Sequence, residues 1–103
     1  MKVTDPSPFA ALSDPTRRAI LRCLRSGPLG AGDLASRFNL AKPTLSHHFR
    51  ILETAGLIRS ERQGTRVVYA QRADALRGVA EELLALCSQR LALSARPAKR
   101  SRR

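Results

Sequence analysis

Ser46, His47 and His48 stand side by side in the run PTLSHHFR, and a hydroxyl beside an imidazole is the raw material of nucleophilic catalysis. That chemistry also needs a third group to orient the base and a pocket to hold the substrate, and the sequence assigns neither. Metal ligation fares no better. Adjacent residues on a helix point about 100° apart, so His47 and His48 do not share a face, and Glu53 is the one acid nearby. One histidine is expected to point outward and the other to pack, partly buried and hydrogen-bonded, against the preceding helix. Cys23 and Cys87 lie 64 positions apart in apolar helical patterns, which is neither a disulfide framework nor a metal knuckle, and they read as small hydrophobes. The expectation is a protein that is not an enzyme and holds no cofactor and no metal.

The basic residues point elsewhere. The 103-residue chain has 19 Lys and Arg against 8 Asp and Glu, a net charge of +11. Five of the bases fall in the last eight positions, at Arg96, Lys99, Arg100, Arg102 and Arg103, yet the preceding stretch is itself basic. An excess spread this way suits a polyanion such as nucleic acid. No run of about 20 apolar residues is available to span a bilayer, and the first residues lack the pattern of a signal peptide, so a cytoplasmic location is expected.

Asp14 followed by Pro15 is a helix start, and Ala19, Ile20, Cys23 and Leu24 recur at helical spacing until Gly27 and Pro28 stop them. A short helix over FAALSD precedes it. A second helix is expected from Ala31 to Phe38 and a third from Lys42 to Thr54, with Leu45, Phe49 and Leu52 on one face and Thr44, Ser46, His47 and Arg50 on the others. Beyond Gly56 the period changes to two short strands joined by a turn around Gln63 and Gly64, flanked by Arg62 and Arg66. Asp74 is expected to cap a last helix whose apolar stripe is broader than one small domain needs, so it has room to cover a partner subunit. The fold class is mainly α with a small β-hairpin, a dimeric winged helix-turn-helix. A domain over residues 1–94 is followed by a basic disordered tail over 95–103. The helix after the turn at Asn39–Ala41 would be about 20 Å long, a fit for a major groove about 12 Å wide.

The runs FAALSDPTRRAIL, LASRFNLAKPTLSHHFRILETAGLI and ERQGTRVVYA, in that order over about residues 7–93, resemble the ArsR family of winged helix-turn-helix transcriptional repressors. The resemblance is to the SdpR-like subgroup that lacks the metal-binding signature in particular. It implies a homodimer that binds double-stranded promoter DNA at an inverted-repeat operator and controls its own gene. Thr44, Ser46 and His47 would face the groove, Lys42 and Arg50 the phosphates, and Arg62, Gln63 and Arg66 would approach from the wing. Phe9, Leu12, Leu76, Val79, Leu83, Leu84, Cys87 and Leu91, on the first and last helices, would pack between subunits. The cysteine-rich cluster of the metal-sensing branch has no counterpart in GPLGAGDLASRF, and the last helix carries no histidine. Some members sense oxidants through a cysteine on an early helix and one on the last, the distribution of Cys23 and Cys87, so a thiol-responsive repressor stays open. So do a protein-interaction module acting through the last helix, RNA binding through the tail, and a sequestering protein partner.

Overall fold

The computed structural model describes residues 7–87. Leu91 and the basic tail lie outside the described residues. Helix α1 (Pro8–Ala11) starts at Ser7, whose Oγ accepts a hydrogen bond from the Ala10 N–H at 3.0 Å. Helix α2 (Pro15–Cys23) starts as the sequence predicts: Asp14 Oδ2 accepts from the Arg17 N–H at 3.1 Å, and proline occupies the first helical position. The helix tightens into a 3-10 turn over Leu24–Ser26 and ends at Gly27, whose φ of 148° favours glycine.

Several features depart from the sequence reading. Leu29–Gly30 forms a short strand, β1, that no periodicity announces. Helix α3 (Ala31–Ala35) ends three residues early, because Ser36 Oγ donates to the Asp33 carbonyl at 2.7 Å and the chain continues through i→i+3 bonds to Arg37 and Phe38. Helix α5 (Ala73–Cys87) takes the Arg72 carbonyl as its first acceptor, so Asp74 is inside the first turn and is not the cap. Its carboxylate instead pairs with Arg77 at 3.5 Å and stands where the helix dipole favours negative charge.

Helix α4 (Lys42–Thr54) and strands β2 (Ile58–Gln63) and β3 (Arg66–Gln71) fall where the pattern places them. The strands form an antiparallel sheet in the order β1-β3-β2, so the hairpin is anchored to the body by Leu29 opposite Tyr69 and Gly30 opposite Val68. Its two-residue turn is Gly64–Thr65, one position later than the expected Gln63 and Gly64, with Gly64 at a φ of 67° and Gln63 paired in the ladder.

The core gathers Ala11, Ile20, Leu21, Leu24, Leu34, Leu45, Phe49, Leu52, Leu57, Ile58 and Val79, and among the described residues it contains no buried polar side chain. Each large side chain in it contributes about 1.5–3 kcal/mol of transfer free energy. The five described helices therefore share one apolar centre, and α4 is seated on it by three residues. No described helix is long and apolar enough to cross a membrane.

Candidate nucleic-acid interface

With Leu45, Phe49 and Leu52 turned inward, the helical repeat places Ser46, Arg50 and His47 on the opposite side of α4, within an arc of about 100°. All three are exposed, as are Lys42 and Thr44 at the edges of that arc. The surface is polar and carries no acid until Glu53. The carboxylate of Glu53 is occupied, accepting a 2.7 Å hydrogen bond from Ser60 Oγ on β2.

That bond is one of two that fix α4 against the hairpin. The other is the packing of Phe49 on Tyr69, with ring centroids 4.7 Å apart and planes tilted by 38°. Burial pushes the Tyr69 phenol above its ordinary pKa, and the Glu53 carboxylate adds to the shift, so the hydroxyl is neutral in the working range.

Strand register sorts the hairpin's polar residues. Ser60 pairs with Tyr69 and Arg62 with Val67, and since Ser60 and Tyr69 both reach α4, Arg62 shares their side of the sheet. Gln63 pairs with Arg66 on the other side, as do Glu61 and Val68. Arg62 thus lies on the sheet face that meets α4. The Arg66 guanidinium instead folds back over Gly30, where an added side chain would displace it, and stands 4.0 Å from Asp33 Oδ2. The three residues predicted for the wing are therefore divided between two faces.

The two histidines divide as well. His47 is exposed, while His48 is half-buried against α2, a helix earlier than the one expected. Its Nδ1 lies 3.2 Å from an Arg17 guanidinium nitrogen and 3.9 Å from Asp14 Oδ2. Burial pushes the Asp14 carboxyl up, but the Arg17 N–H, the neighbouring His48 ring, the Thr16 N–H and the Arg17 charge outweigh it and hold the carboxyl below its ordinary value.

Arg17 and Arg18 are the residues that sequence reasoning missed. Arg17 Nε donates to the Ala11 carbonyl at 2.7 Å and Arg18 donates to the Leu12 carbonyl at 2.7 Å, gathering the C-terminal end of α1. Periodicity gives such contacts no signal.

A second exposed surface is apolar. Phe9 on α1 and Leu83, Leu84 and Leu86 on α5 are exposed, the last three by 50%, 64% and 76%. Leu12 and Leu76 are half-buried against the core, and Val79, expected at a subunit contact, is committed to the protomer's own core. Cys87 is exposed rather than packed, its thiol near the Leu84 carbonyl at 3.3 Å, and Cys23 is half-buried. No three His, Cys, Asp or Glu side chains among the described residues gather to hold a metal ion.

Comparison with known proteins agrees with this geometry. Residues 12–61 match the model of a helix-turn-helix domain. The chain is 48% identical over 62 residues to the transcriptional repressor SdpR of Bacillus subtilis, a match spanning 60% of this chain and 69% of that one. It is 44% identical over 61 residues to the HTH-type transcriptional regulator Rv2034 of Mycobacterium tuberculosis, spanning 59% and 57%. A crystal structure of the ArsR family transcriptional regulator RHA00566 superposes with a TM-score of 0.67 at 39% identity, covering 73% of this chain and 77% of that one. The helix-turn-helix with its braced wing, the acid-free exposed arc of α4 and these matches lead to one conclusion: the chain belongs to the ArsR family of winged helix-turn-helix DNA-binding transcriptional regulators.

Proposed function

We propose that the protein is a transcriptional repressor that binds an inverted-repeat operator as a homodimer, with α4 of each subunit in one half-site. The observation that carries this reading is the exposed arc of α4, where Ser46, His47 and Arg50 stand outward beside Lys42 and Thr44 with no acid among them. Hydroxyl and imidazole groups pair with base edges, and the cationic arms of Lys42 and Arg50 with phosphate. Arg62 lies on the same side of the sheet and extends the contact to the flanking backbone, with Gln63 and Arg66 at the hairpin's other face. The activity is binding rather than turnover.

The homodimer rests on the exposed apolar residues of α1 and α5. Phe9, Leu83 and Leu84 are exposed among the described residues, and a second copy would bury them together with Leu12, Leu76 and Cys87. Two basic subunits attract duplex DNA strongly and in a salt-dependent way. The basic tail over 95–103 adds phosphate contacts outside the operator, so its removal weakens every duplex to the same extent. Repression follows by occupying the promoter and excluding polymerase.

Selection of random duplexes by the full chain, at near-physiological salt with reductant present, tests this reading. Recovery of one inverted repeat is expected. Uniform retention that disappears as salt rises would overturn it and leave a protein-interaction module acting through α5.

A further inference from the structure

We propose that Arg17 is a positioning residue that locks the rotation of α4, and with it the presentation of His47 to DNA, by holding His48 inward against α1 and α2. The inference rests on the reading of α4 as the DNA-contacting helix. Arg17 sits in the first turn of α2, and its planar guanidinium reaches acceptors on two other elements at once. Nε donates to the Ala11 carbonyl at 2.7 Å, one terminal nitrogen lies 3.3 Å from the Ala10 carbonyl, and the other lies 3.2 Å from His48 Nδ1. Its own backbone N–H is held by Asp14 at 3.1 Å, so the base of the side chain is fixed as well as its tip.

A guanidinium donates and never accepts. His48 therefore accepts at Nδ1, and its ring proton belongs on Nε2. The His48 side chain is 13% exposed and has no room to reach a groove, whereas His47, about 100° further round the helix, is in solvent. Leu45, Phe49 and Leu52 set the rotation of α4 only through apolar contact, which is non-directional. The Arg17–His48 bond adds a directional constraint to the one that Ser60 makes with Glu53. It also ties that rotation to α1, whose end carbonyls Arg17 holds on its other side. A lysine has one ammonium on a flexible stem and does not reproduce a fork with three acceptors in fixed directions.

The test compares Arg17→Lys, His48→Gln and His48→Leu with the wild type. The first readout needs no DNA: two-bond proton–nitrogen spectra of the imidazoles at alkaline pH. Wild-type His48 is expected as the Nε2–H tautomer with Nδ1 accepting, and a dominant Nδ1–H tautomer would overturn the proposal without any variant. The second is the ratio of affinities for the duplex that the wild type selects and for a scrambled duplex of the same length. Loss of one hydrogen bond to a charged donor should lower that ratio about tenfold in Arg17→Lys and His48→Leu, with scrambled-duplex affinity unchanged. His48→Gln, whose amide oxygen still accepts from Arg17, should keep the ratio near the wild-type value. Equal ratios in His48→Gln and His48→Leu, or a wild-type ratio in Arg17→Lys, would overturn it. A wild type that selects no duplex contradicts the proposed function instead, and the tautomer still decides the role of Arg17.

Discussion

Helix α4 turns Leu45, Phe49 and Leu52 into the protomer's core and shows solvent an arc of Ser46, His47 and Arg50, whereas α5, two residues longer, buries Val79 and leaves Leu83, Leu84 and Leu86 outside. Both helices are amphipathic, and they dispose of their faces in opposite ways. In α4 the apolar face is satisfied within the chain, so the polar face is the one left to recognise something. In α5 the apolar face is the unfinished one. The contrast teaches that an amphipathic pattern identifies a functional surface only after one asks which face the protomer's own core has already used.

Several substitutions break or sharpen that contrast. The largest effect is expected at Leu52, fully buried beneath α4: Leu52→Ala should cost about 2–5 kcal/mol of unfolding free energy in urea titration. Leu84→Ala, at an exposed position of α5, should cost the protomer less than about 0.5 kcal/mol. Similar losses at the two sites would erase the distinction. Next comes assembly. Leu83→Glu with Leu84→Glu should weaken subunit association by about 2–4 kcal/mol in sedimentation equilibrium, with far-ultraviolet circular dichroism unchanged. An unaltered sedimentation profile would remove α5 from the interface.

Recognition is the third comparison, made within α4 itself. His47→Ala should lower discrimination between the selected duplex and its single-base variants by about 1–3 kcal/mol. Lys42→Ala should weaken all duplexes alike and reduce the salt slope by about 1. The smallest effect concerns Asp14, which caps α2 and lies near His48. Asp14→Ala should cost about 0.5–2 kcal/mol at neutral pH. Because the folded carboxyl is held below its ordinary value of 3.8, its contribution is present above that pH and is lost as pH falls through the lower folded value. The difference in thermal stability between wild type and Asp14→Ala should therefore shrink on acidification, and a difference that grows would contradict the sign.

The elements that carry both faces were legible because each is written in a strong local signal: Asp14–Pro15 for the start of α2, Leu45, Phe49 and Leu52 for α4, and Gly64 for the hairpin. Contacts between elements were not. Leu29–Gly30 pairs as a strand because β3 offers an edge, which two residues do not announce. The paired fate of His47 and His48 was readable from the helical repeat, but the partner that holds His48 lies 31 positions away in sequence. The wing shows the same limit. A turn centred on Gln63 and Gly64 sets Glu61 opposite Arg66, whereas the observed turn sets Gln63 there, and Arg66 finds its acid on Asp33 of α3. The apolar excess of α5 was visible as a stripe, yet its division between a core residue, Val79, and exposed leucines depends on where the rest of the chain ends up.

Hydroxyl-radical footprinting of the full chain on a duplex it has selected tests most directly that α4 reads DNA while α5 joins two copies. The account predicts two equivalent protected patches related by a two-fold axis, with centres about 34 Å apart. A single protected patch, or even protection along the whole duplex, would contradict it.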